Sequence, residues 1–506
     1  MSVNFRIQSG HVSFDQLRSE GFSLETIART VSQAVTVVQN RLVVYMISQS
    51  DPTQITALLG IVDILYNLAS LAMLKTGHLA LDFSCAFNLA SIAEGSVELA
   101  PQTLQSAPGT LNHKFVVPGA LAVPLMLLEP RALPIATFQR VLFAGTFDHL
   151  HCGHRNILTK ALFSAERQLF VGIASEDLLK HKRFANCLEP FDLRKSKLHH
   201  FLESIRPEWK RDVEIIYLET RDAVGPAATL EFDAIFVTPE TAVGASLVNE
   251  ARAKRGMPPV KVVEVDLLGH TKIETKLSSS DIRDKLCKSL PKGEDQLNEL
   301  YEKWIGLATE LAIDDNVARS WWSRLRDFYG LQPWRHYHNL RHVSELLSLV
   351  SEEYQDRKPP SELLLAVWFH DAVYHPLNSS SEDDSISLFR EFVARTSIQV
   401  NADAVTLAIQ YTKSHRAHIS CDCQVSWIPI FLEADLSILG SEIDRYHEYS
   451  NQIKSEYSHL LESEFKDGRR VFLDSYKDFV FKHLKSGNRL ASHLSDNLRE
   501  ELSQIS

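Results

Sequence analysis

The feature that most constrains the fold is a regular alternation of short apolar runs and helical patterns between about residues 137 and 290. Apolar runs occur at 141–144, 169–173, 213–218, 234–237 and 260–265. After the first run, apolar residues recur at helical spacing, namely Ile157, Leu158, Ala161, Leu162 and Ala165. Apolar strands that alternate with helices predict a parallel sheet covered on both faces. Such sheets bind ligands beyond the C-terminal strand ends, so we expect a site at the turn after the first strand.

Two regions of different character flank this alternation. Residues 1–136 hold 9 acidic and 7 basic residues, about 12% of the segment against 23% for the chain, and end in a proline-punctuated stretch at 118–134. A buried strand at 42–47 and a helix at 55–74 predict a packed α/β accessory domain, in which we find no chemical motif. Residues 297–506 are almost entirely helical in pattern, and 289–295 is typical of a linker. The chain is therefore predicted to be multidomain, with domains at 1–136, 137–290 and 297–506.

Composition narrows the class of protein. The 506 residues are 44% hydrophobic and carry a net charge of −11, which is typical of a soluble globular protein and argues against one that coats nucleic acid or anionic membrane. Asp63 and Asn67 interrupt the segment 55–74, so we expect a buried helix there rather than a membrane span. Six scattered cysteines and the lack of a leader pattern predict a cytoplasmic protein with reduced thiols.

The turn after the first strand carries the first candidate site. It is AGTFDHLHCGH at 144–154, and a helix is predicted to begin at about His154. Gly145 is expected to allow a sharp turn that brings backbone N–H groups near a phosphate, which the positive helix N-terminus also attracts. His151 and His154 flank Gly153 and are predicted to face one polyphosphate, whose transition-state charge positioned donors stabilise.

A second segment, LSSSDIR at 277–283, supports that interpretation. Its three hydroxyls, on Ser278, Ser279 and Ser280, stand at a predicted helix start, and Arg283 follows as a planar cation suited to phosphate. Alone, this segment is an ordinary helix cap. Together with the two histidines it predicts a two-part triphosphate clamp.

At these residues the region 138–287 resembles the nucleotidylyltransferase superfamily, and specifically the eukaryotic type of phosphopantetheine adenylyltransferase. GTFDHLHCGH looks like the first signature of that family and LSSSDIR like its serine-rich signature. The intervening VTPET at 237–241 and GMPP at 256–259 are similar to segments that separate the eukaryotic type from the bacterial one, and LLKHK at 178–182 matches a lysine-bearing segment. The resemblance implies a Rossmann-like fold and transfer of AMP from ATP, with Mg²⁺, to 4′-phosphopantetheine.

The resemblance also implies roles for individual residues. His151 and His154 would hold the ATP phosphates, Thr146 would position the attacking phosphate, and Lys180 or Lys182 would neutralise charge. The remaining nucleotide-binding positions would be Gly145, Asp148, Gly153, Ser278, Ser279, Ser280 and Arg283. The chain has no GxxxxGK[ST] motif, so we expect a separate dephospho-CoA kinase. A nucleotidylyltransferase with another acceptor is the alternative.

The C-terminal region holds histidines and aspartates at metal-ligand spacing. His338 and His342 are four residues apart, His370 and Asp371 are adjacent, and Asp435 follows in ADLSILG at 434–440. Imidazole and carboxylate ligands suit Mn²⁺, Fe²⁺, Co²⁺ or Zn²⁺ at a hydrolytic centre. A lone His-Asp pair is more often a structural hydrogen bond, but the order H…HD…D in helical context favours a metal.

This pattern resembles the HD superfamily of metal-dependent phosphohydrolases over about 297–500. The resemblance implies His342, His370, Asp371 and Asp435 as metal ligands, His338 as a general acid or phosphate contact, and Glu382 as a group that orients water; an ordinary charge at a helix N-terminus is the alternative for Glu382. His375 and His415 are interpreted as histidines that support the site or lie in the core, with ligation of a second metal as the alternative, and 421–423 is interpreted as a loop. The substrate stays open, and a ligand-sensing or assembly module without catalysis is the alternative.

Overall fold

The computed structural model describes part of the N-terminal segment and most of the remainder. It covers residues 9–13, 41–45, 81–86 and 97–98, single positions between 34 and 73, and residues 136–505 apart from 207–209, 223, 240, 266–277, 356, 377–378, 415–424, 459 and 484–488. The described residues form two compact units, one within 7–285 and the other within 286–506. Each unit is described by itself. The three predicted domain boundaries stay a prediction.

A five-stranded parallel sheet forms the centre of the first unit, which confirms the predicted α/β fold. Its strand order is β7-β6-β5-β8-β9, the doubly wound order in which the first strand of the sheet lies in the middle. The strands are β5 (Phe138–Gly145), β6 (Ala165–Ala174), β7 (Glu214–Thr220), β8 (Ala234–Val237) and β9 (Lys261–Glu264).

Helices cover both faces of this sheet. Val141 and Phe143 of β5 pack on one side with Leu158 and Leu162, whereas Leu142 packs on the other side with Val248. This alternation follows from the two-residue period of a strand. The α-helices of the unit are α1 (Cys152–Ser164), α2 (Glu176–Leu179), α3 (Phe191–Ile205), α4 (Ala242–Lys254) and α5 (Ser279–Lys288), whose last three residues are counted with the second unit. Because α1 ends at Ser164, Ala165 begins β6, and the prediction that it belongs to the helix is wrong.

The N-terminal segment contributes a second parallel sheet with the order β3-β2-β1-β4. The strands are β1 (Ser9–Ser13), β2 (Arg41–Tyr45), β3 (Asp82–Ala86) and β4 (Val97–Glu98). The predicted strand at 42–47 is confirmed as far as Tyr45. The described positions between 62 and 73 are helical and buried, as predicted for a core helix. The predicted proline-rich stretch at 118–134 lies outside the described residues.

All regular secondary structure in the described residues of the second unit is helical, as predicted. An aromatic core holds it together: the Trp304 and Trp368 rings meet edge to face at 5.5 Å, and the Trp304 indole donates to the Ala318 carbonyl at 2.8 Å. None of the described helices is long and apolar enough to cross a membrane. The helices are α6 (Glu294–Glu310), α7 (Asp315–Leu331), α8 (Leu340–Tyr354), α9 (Ser361–Phe369), α10 (Ser381–Thr396), α11 (Ala402–Tyr411), α12 (Ile428–Leu436), α13 (Ile443–Glu456), α14 (Glu462–His483) and α15 (Arg489–Ile505).

Candidate functional sites

The turn between β5 and α1 owes its shape to two non-glycine residues. Phe147 and His149 have φ angles of 55° and 46°, in the left-handed region that L residues seldom adopt. Gly145 is not among the residues with positive φ, so the left-handed conformations of this turn belong to Phe147 and His149, and the predicted role of Gly145 stays a prediction. The buried Phe147 ring packs edge-on against Phe143 at 5.2 Å and against His154 at 5.6 Å. Packing of this kind is what sustains about 1–3 kcal/mol of backbone strain at a functional site.

The two histidines of the turn lie at the N-terminus of α1. His151 is the N-cap residue, and its Nδ1 accepts the Gly153 N–H at 3.2 Å. The helix therefore begins at Cys152, two residues before the predicted start. The imidazoles of His151 and His154 stack with their centroids 4.0 Å apart. Because Nδ1 of His151 accepts, its Nε2 carries the proton and is a donor for an anion at the helix end.

Lys182, rather than Lys180, lies against the turn. The Lys182 ammonium donates to Thr146 Oγ1 at 2.9 Å. Lys180 is exposed and forms an ion pair with Asp177 at 2.5 Å. The main chain of Thr146 is fixed from the other side, because the buried Arg194 guanidinium donates to its carbonyl at 2.7 Å. Of the two lysines that the sequence left open, the geometry favours Lys182 as the cation of the site.

A buried ion pair joins the turn to the serine-rich segment. Arg283 Nη1 donates to Asp148 Oδ2 at 2.5 Å, and both side chains are at most 3% exposed. Arg283 also donates to Ser280 Oγ and to the Arg183 carbonyl, and Ser279 Oγ donates to the Asp148 carbonyl at 2.7 Å. These contacts hold the two predicted halves of the clamp together. Direct contacts of Arg283, Ser279 and Ser280 with phosphate stay a prediction.

Ser278 closes the start of α5 as an ordinary helix cap. Its hydroxyl and its N–H both donate to Asp281 Oδ2, at 2.6 and 2.9 Å, and Ser278 Oγ accepts the Asp281 N–H at 3.3 Å. This reciprocal arrangement is a capping box. A phosphate contact by Ser278 therefore stays a prediction too.

The environment of Asp148 keeps its carboxyl ionised. Burial raises the pKa of Asp148, but His149, the Glu189 N–H and Arg283 lower it, and the net pKa lies below the usual range. The Glu189 N–H donates to Asp148 Oδ1 at 2.8 Å. A buried carboxylate with these partners supports the turn, so Asp148 has a structural role here beside its predicted place in the nucleotide site.

Comparison with known proteins assigns the family of this region. Residues 142–285 match the cytidylyltransferase-like family. A phosphopantetheine adenylyltransferase of Thermococcus gammatolerans is 37% identical over 147 residues, which is 88% of that protein and 29% of this chain. The chain belongs to the phosphopantetheine adenylyltransferase family.

Two further members show how far the similarity extends. The phosphopantetheine adenylyltransferase of Methanopyrus kandleri is 35% identical over 158 residues, which is 94% of that protein and 30% of this chain. The phosphopantetheine adenylyltransferase of Saccharomyces cerevisiae is 35% identical over 156 residues, again 30% of this chain but 50% of that protein. This chain therefore spans about half the length of the yeast family member, and nearly all of the archaeal ones.

A second cluster lies in the helical unit, apart from the motifs that carry the adenylyltransferase resemblance. It unites the four side chains that the sequence predicts as metal ligands. His342 Nε2 lies 3.1 Å from His370 Nε2 and 3.1 Å from Asp435 Oδ1. Asp371 Oδ2 lies 3.2 Å from His370 Nε2 and 3.8 Å from His342 Nε2. Residues from α8, α12 and the end of α9 thus place two nitrogens and two oxygens around one point.

The chemistry of these four donors fits a divalent metal ion. Both histidines are buried, Asp371 and Asp435 are 16% and 12% exposed, and each of the two carboxylates lies within 4 Å of both imidazoles. Two imidazole nitrogens and two carboxylate oxygens without a thiolate are the ligand set of Mn²⁺, Fe²⁺, Co²⁺ or Zn²⁺.

A positive charge on His370 balances the negative charges of these two carboxylates. Burial lowers the pKa of His370, but Asp371 and Asp435 raise it to about 9. The pKa of Asp371 is held well below its usual range, because the effects of His370 and His338 outweigh burial. A cation is therefore favoured at this point, whether it is a proton or a metal ion.

The remaining predicted residues of this region surround the cluster at different distances. His338 Nε2 lies 4.0 Å from Asp371 Oδ2. Glu382, in the first turn of α10, has a raised pKa, caused first by burial and also by the negative charge of Asp371. His375 packs against the Trp334 ring at 4.4 Å, in keeping with its interpretation as a core histidine. His415 and the segment 421–423 lie outside the described residues.

Sequence reasoning missed Glu456 entirely. Its carboxylate accepts a hydrogen bond from His338 Nδ1 at 2.6 Å, from a position 118 residues away in the chain. No motif surrounds Glu456, and its place at the end of α13 is that of an ordinary surface charge in the sequence. Its 2% exposure is the signal, and only the fold reveals it.

Proposed function

We propose that the first unit transfers AMP from ATP to 4′-phosphopantetheine and releases dephospho-CoA and pyrophosphate. The observation that carries this proposal is the stacked pair of His151 and His154 at the N-terminus of α1, beyond the central strand of a doubly wound sheet. Ligands of such sheets bind at this place. Membership of the family supplies the acceptor, and a separate dephospho-CoA kinase would use the product.

The reaction needs no nucleophilic side chain. A phosphate oxygen of 4′-phosphopantetheine attacks the α-phosphorus of ATP, and the bond from that phosphorus to the β-phosphate oxygen breaks. ATP enters as its Mg²⁺ complex. His151 and His154 donate hydrogen bonds to the phosphates as charge shifts towards pyrophosphate, and Lys182 beside Thr146 attracts the attacking phosphate. Asp148 and Arg283 keep the two halves of the site in register.

A direct assay tests this function. Purified protein incubated with ATP, Mg²⁺ and 4′-phosphopantetheine is expected to form dephospho-CoA, and His154→Ala is expected to lower kcat by about 10²–10³-fold. His200→Ala, an exposed histidine of α3, is the matched control and is expected to keep full activity. Full activity of His154→Ala would refute the assigned role, and preference for CTP or for another acceptor in a panel would favour a different nucleotidylyltransferase.

For the helical unit we propose a second function, metal-dependent hydrolysis of a phosphate ester. The observation that favours it is that one oxygen of Asp371 and one of Asp435 each lie within 4 Å of Nε2 of both His342 and His370. These residues would hold a divalent ion, which when bound supplies an activated water and neutralises phosphate charge. In this proposal His338 would contact the phosphate or donate a proton, and Glu382 would orient water.

Metal analysis and a substrate screen test the second function. After reconstitution with Mn²⁺ or Co²⁺ we expect about one metal ion per chain and hydrolysis of at least one phosphate monoester or nucleotide. Asp371→Asn is expected to lose both properties, whereas Asp444→Asn, an exposed control in α13, is expected to keep both. Stoichiometric metal without any hydrolysis would favour a ligand-sensing or assembly module, and absence of metal would refute the site.

A further inference from the structure

Glu456 is a buried carboxylate beneath the loop that precedes α8. It is 2% exposed and accepts three consecutive backbone N–H groups at Oε1, from His336, Tyr337 and His338, at 2.8, 2.7 and 2.9 Å. Burying a charge is costly unless hydrogen bonds compensate it. Three N–H groups aimed at one oxygen therefore fix the loop and the carboxylate relative to each other.

The second oxygen of Glu456 contacts His338, which lies beside the cluster of predicted metal ligands. Oε2 lies 2.6 Å from His338 Nδ1 and accepts the Tyr374 hydroxyl at 2.8 Å. An ionised carboxylate has only acceptor sites, so Nδ1 of His338 must carry a hydrogen atom. Burial raises the pKa of Glu456, but His338 and the loop N–H groups lower it to about 2, so the carboxylate is ionised at neutral pH.

Arg335 belongs to the same loop and joins it to the segment after α9. This buried guanidinium donates to the carbonyls of His338 and Asp371 at 2.7 and 2.8 Å, and to that of Ala372 at 2.9 Å. The Tyr374 ring packs on the His338 imidazole with centroids 4.3 Å apart. The imidazole is thus held at its backbone, at its face and at Nδ1, and its Nε2 is directed towards Asp371 Oδ2, 4.0 Å away.

We propose that Glu456 is a positioning residue of the helical unit, which holds His338 with a hydrogen atom on Nδ1 and with Nε2 turned towards the metal-binding carboxylates. This inference rests on the proposed hydrolase function for its kinetic consequence. A fixed Nε2 at that place meets a phosphoryl oxygen of the substrate in one orientation. Carboxylates that orient a histidine in this way set its tautomer and its direction together.

The hydrogen atom on Nδ1 is testable without any variant of Glu456. Full-length protein with ¹⁵N-labelled histidine is examined by NMR, and the signals of His338 are identified by their loss in His338→Gln. We expect Nδ1 of His338 to show a bound hydrogen at neutral pH. An Nδ1 without hydrogen would overturn the proposal. Neither result depends on whether a substrate is known.

The kinetic consequence is tested by Glu456→Gln with Glu448→Gln, an exposed residue of the same helix, as its matched control. A glutamine amide at 456 lets its oxygen accept the loop N–H groups but turns an NH₂ towards Nδ1, so His338 is expected to lose its tautomer or its direction. We expect kcat for a phosphate ester to fall by about 10²-fold or more in Glu456→Gln, with KM and bound Mn²⁺ unchanged, while Glu448→Gln stays within about threefold of the parent.

The outcomes separate the two claims. Unchanged kcat in a folded Glu456→Gln protein would overturn the positioning role, and so would an equal loss in Glu448→Gln. If the parent protein hydrolyses nothing, the hydrolase function fails, and the Nδ1 measurement alone decides whether Glu456 sets the tautomer. If Glu456→Gln does not fold, the same measurement on the parent protein decides.

Discussion

The site at the end of the parallel sheet presents hydrogen-bond donors, whereas the cluster in the helical unit presents acceptors. Around the first site lie the helix N-terminus of α1, the imidazoles of His151 and His154, and the ammonium of Lys182. Around the second lie two imidazole nitrogens and the carboxylates of Asp371 and Asp435. The difference matches their proposed ligands, since the first is suited to a polyphosphate and the second to a metal cation.

The two sites also differ in what holds them. In the first, one buried ion pair, Asp148 with Arg283, joins a turn to a helix start 135 residues away. In the second, two buried charged groups act on backbone atoms: Glu456 accepts N–H groups of the loop before α8, and Arg335 of that loop donates to carbonyls of His338 and of Asp371 after α9. The first site thus lies on a turn and a helix start joined by side-chain contacts, whereas the cluster has its ligands on or at the ends of packed helices.

The largest effect is expected from breaking the ion pair of the first site. Asp148→Ala leaves Arg283 as a buried cation without its carboxylate, and we expect a loss of about 3–5 kcal/mol in the free energy of unfolding of that unit. Urea unfolding followed by far-UV circular dichroism measures it. Asp177→Ala removes an exposed pair and is expected to leave the urea midpoint nearly unchanged. Equal losses in the two variants would show that the pair does not hold the site.

The second prediction concerns the carboxylate that supports the helical site. The pKa of Glu456 is about 2 in the folded protein and is normally about 4.5, so its stabilising contribution is complete above pH 4.5 and is lost as the pH falls towards 2. We expect the difference in unfolding free energy between the parent and Glu456→Gln to shrink below pH 4.5, by up to about 1.4 kcal/mol per pH unit.

Tryptophan fluorescence during urea unfolding is the suitable probe for this difference. Of the 7 tryptophans in the chain, all except Trp209 lie beyond residue 286, so the signal reports mainly on the helical unit. A difference that stays constant between pH 6 and pH 3 would contradict an ionised, stabilising Glu456.

Metal binding sharpens the comparison further, because only the acceptor cluster is expected to respond. With Mn²⁺ at about 100 times its Kd, the helical unit gains about 2.7 kcal/mol, which corresponds to a rise in unfolding midpoint of about 5–10 °C. Asp371→Asn is expected to abolish the rise and Asp444→Asn to keep it. An equal rise in Asp371→Asn would place the metal elsewhere.

The smallest expected effect distinguishes the two lysines near the first site. Lys182→Ala removes the ammonium beside Thr146, and we expect kcat/KM for dephospho-CoA formation to fall by about thirtyfold, or about 2 kcal/mol. Lys180 is paired with Asp177 at the surface, so Lys180→Ala is expected to stay within about threefold of the parent. The reverse order would assign the phosphate contact to Lys180.

Local sequence patterns were sufficient to predict the elements that build both sites. The apolar run at 234–237 coincides with β8, and the parallel sheet and helical remainder follow from periodicity that each strand and helix carries by itself. The four predicted ligands were implied by a family resemblance, and the fold brings them together from two helices and the end of a third. The sequence therefore predicts well those elements whose pattern depends on residues near one another in the chain.

The features that sequence could not give depend on distant partners. The left-handed φ angles of Phe147 and His149 result from packing, and neither residue type signals them. His151 caps α1 with an imidazole, so the helix starts earlier than common capping residues would indicate. Lys180 and Lys182 are alike in sequence, and they differ only in their partners in the fold, which are Asp177 for Lys180 and Thr146 for Lys182. Glu456 reaches His338 across 118 residues, beyond any motif.

The central claim is that the chain carries two chemistries in two separate sites, and one crossed assay tests it. Dephospho-CoA formation and Mn²⁺-dependent phosphate-ester hydrolysis are measured in parallel on the parent, on His154→Ala and on Asp371→Asn. We predict that His154→Ala loses only the first activity and Asp371→Asn only the second. Loss of both activities in either variant, or of neither in both, would contradict the account.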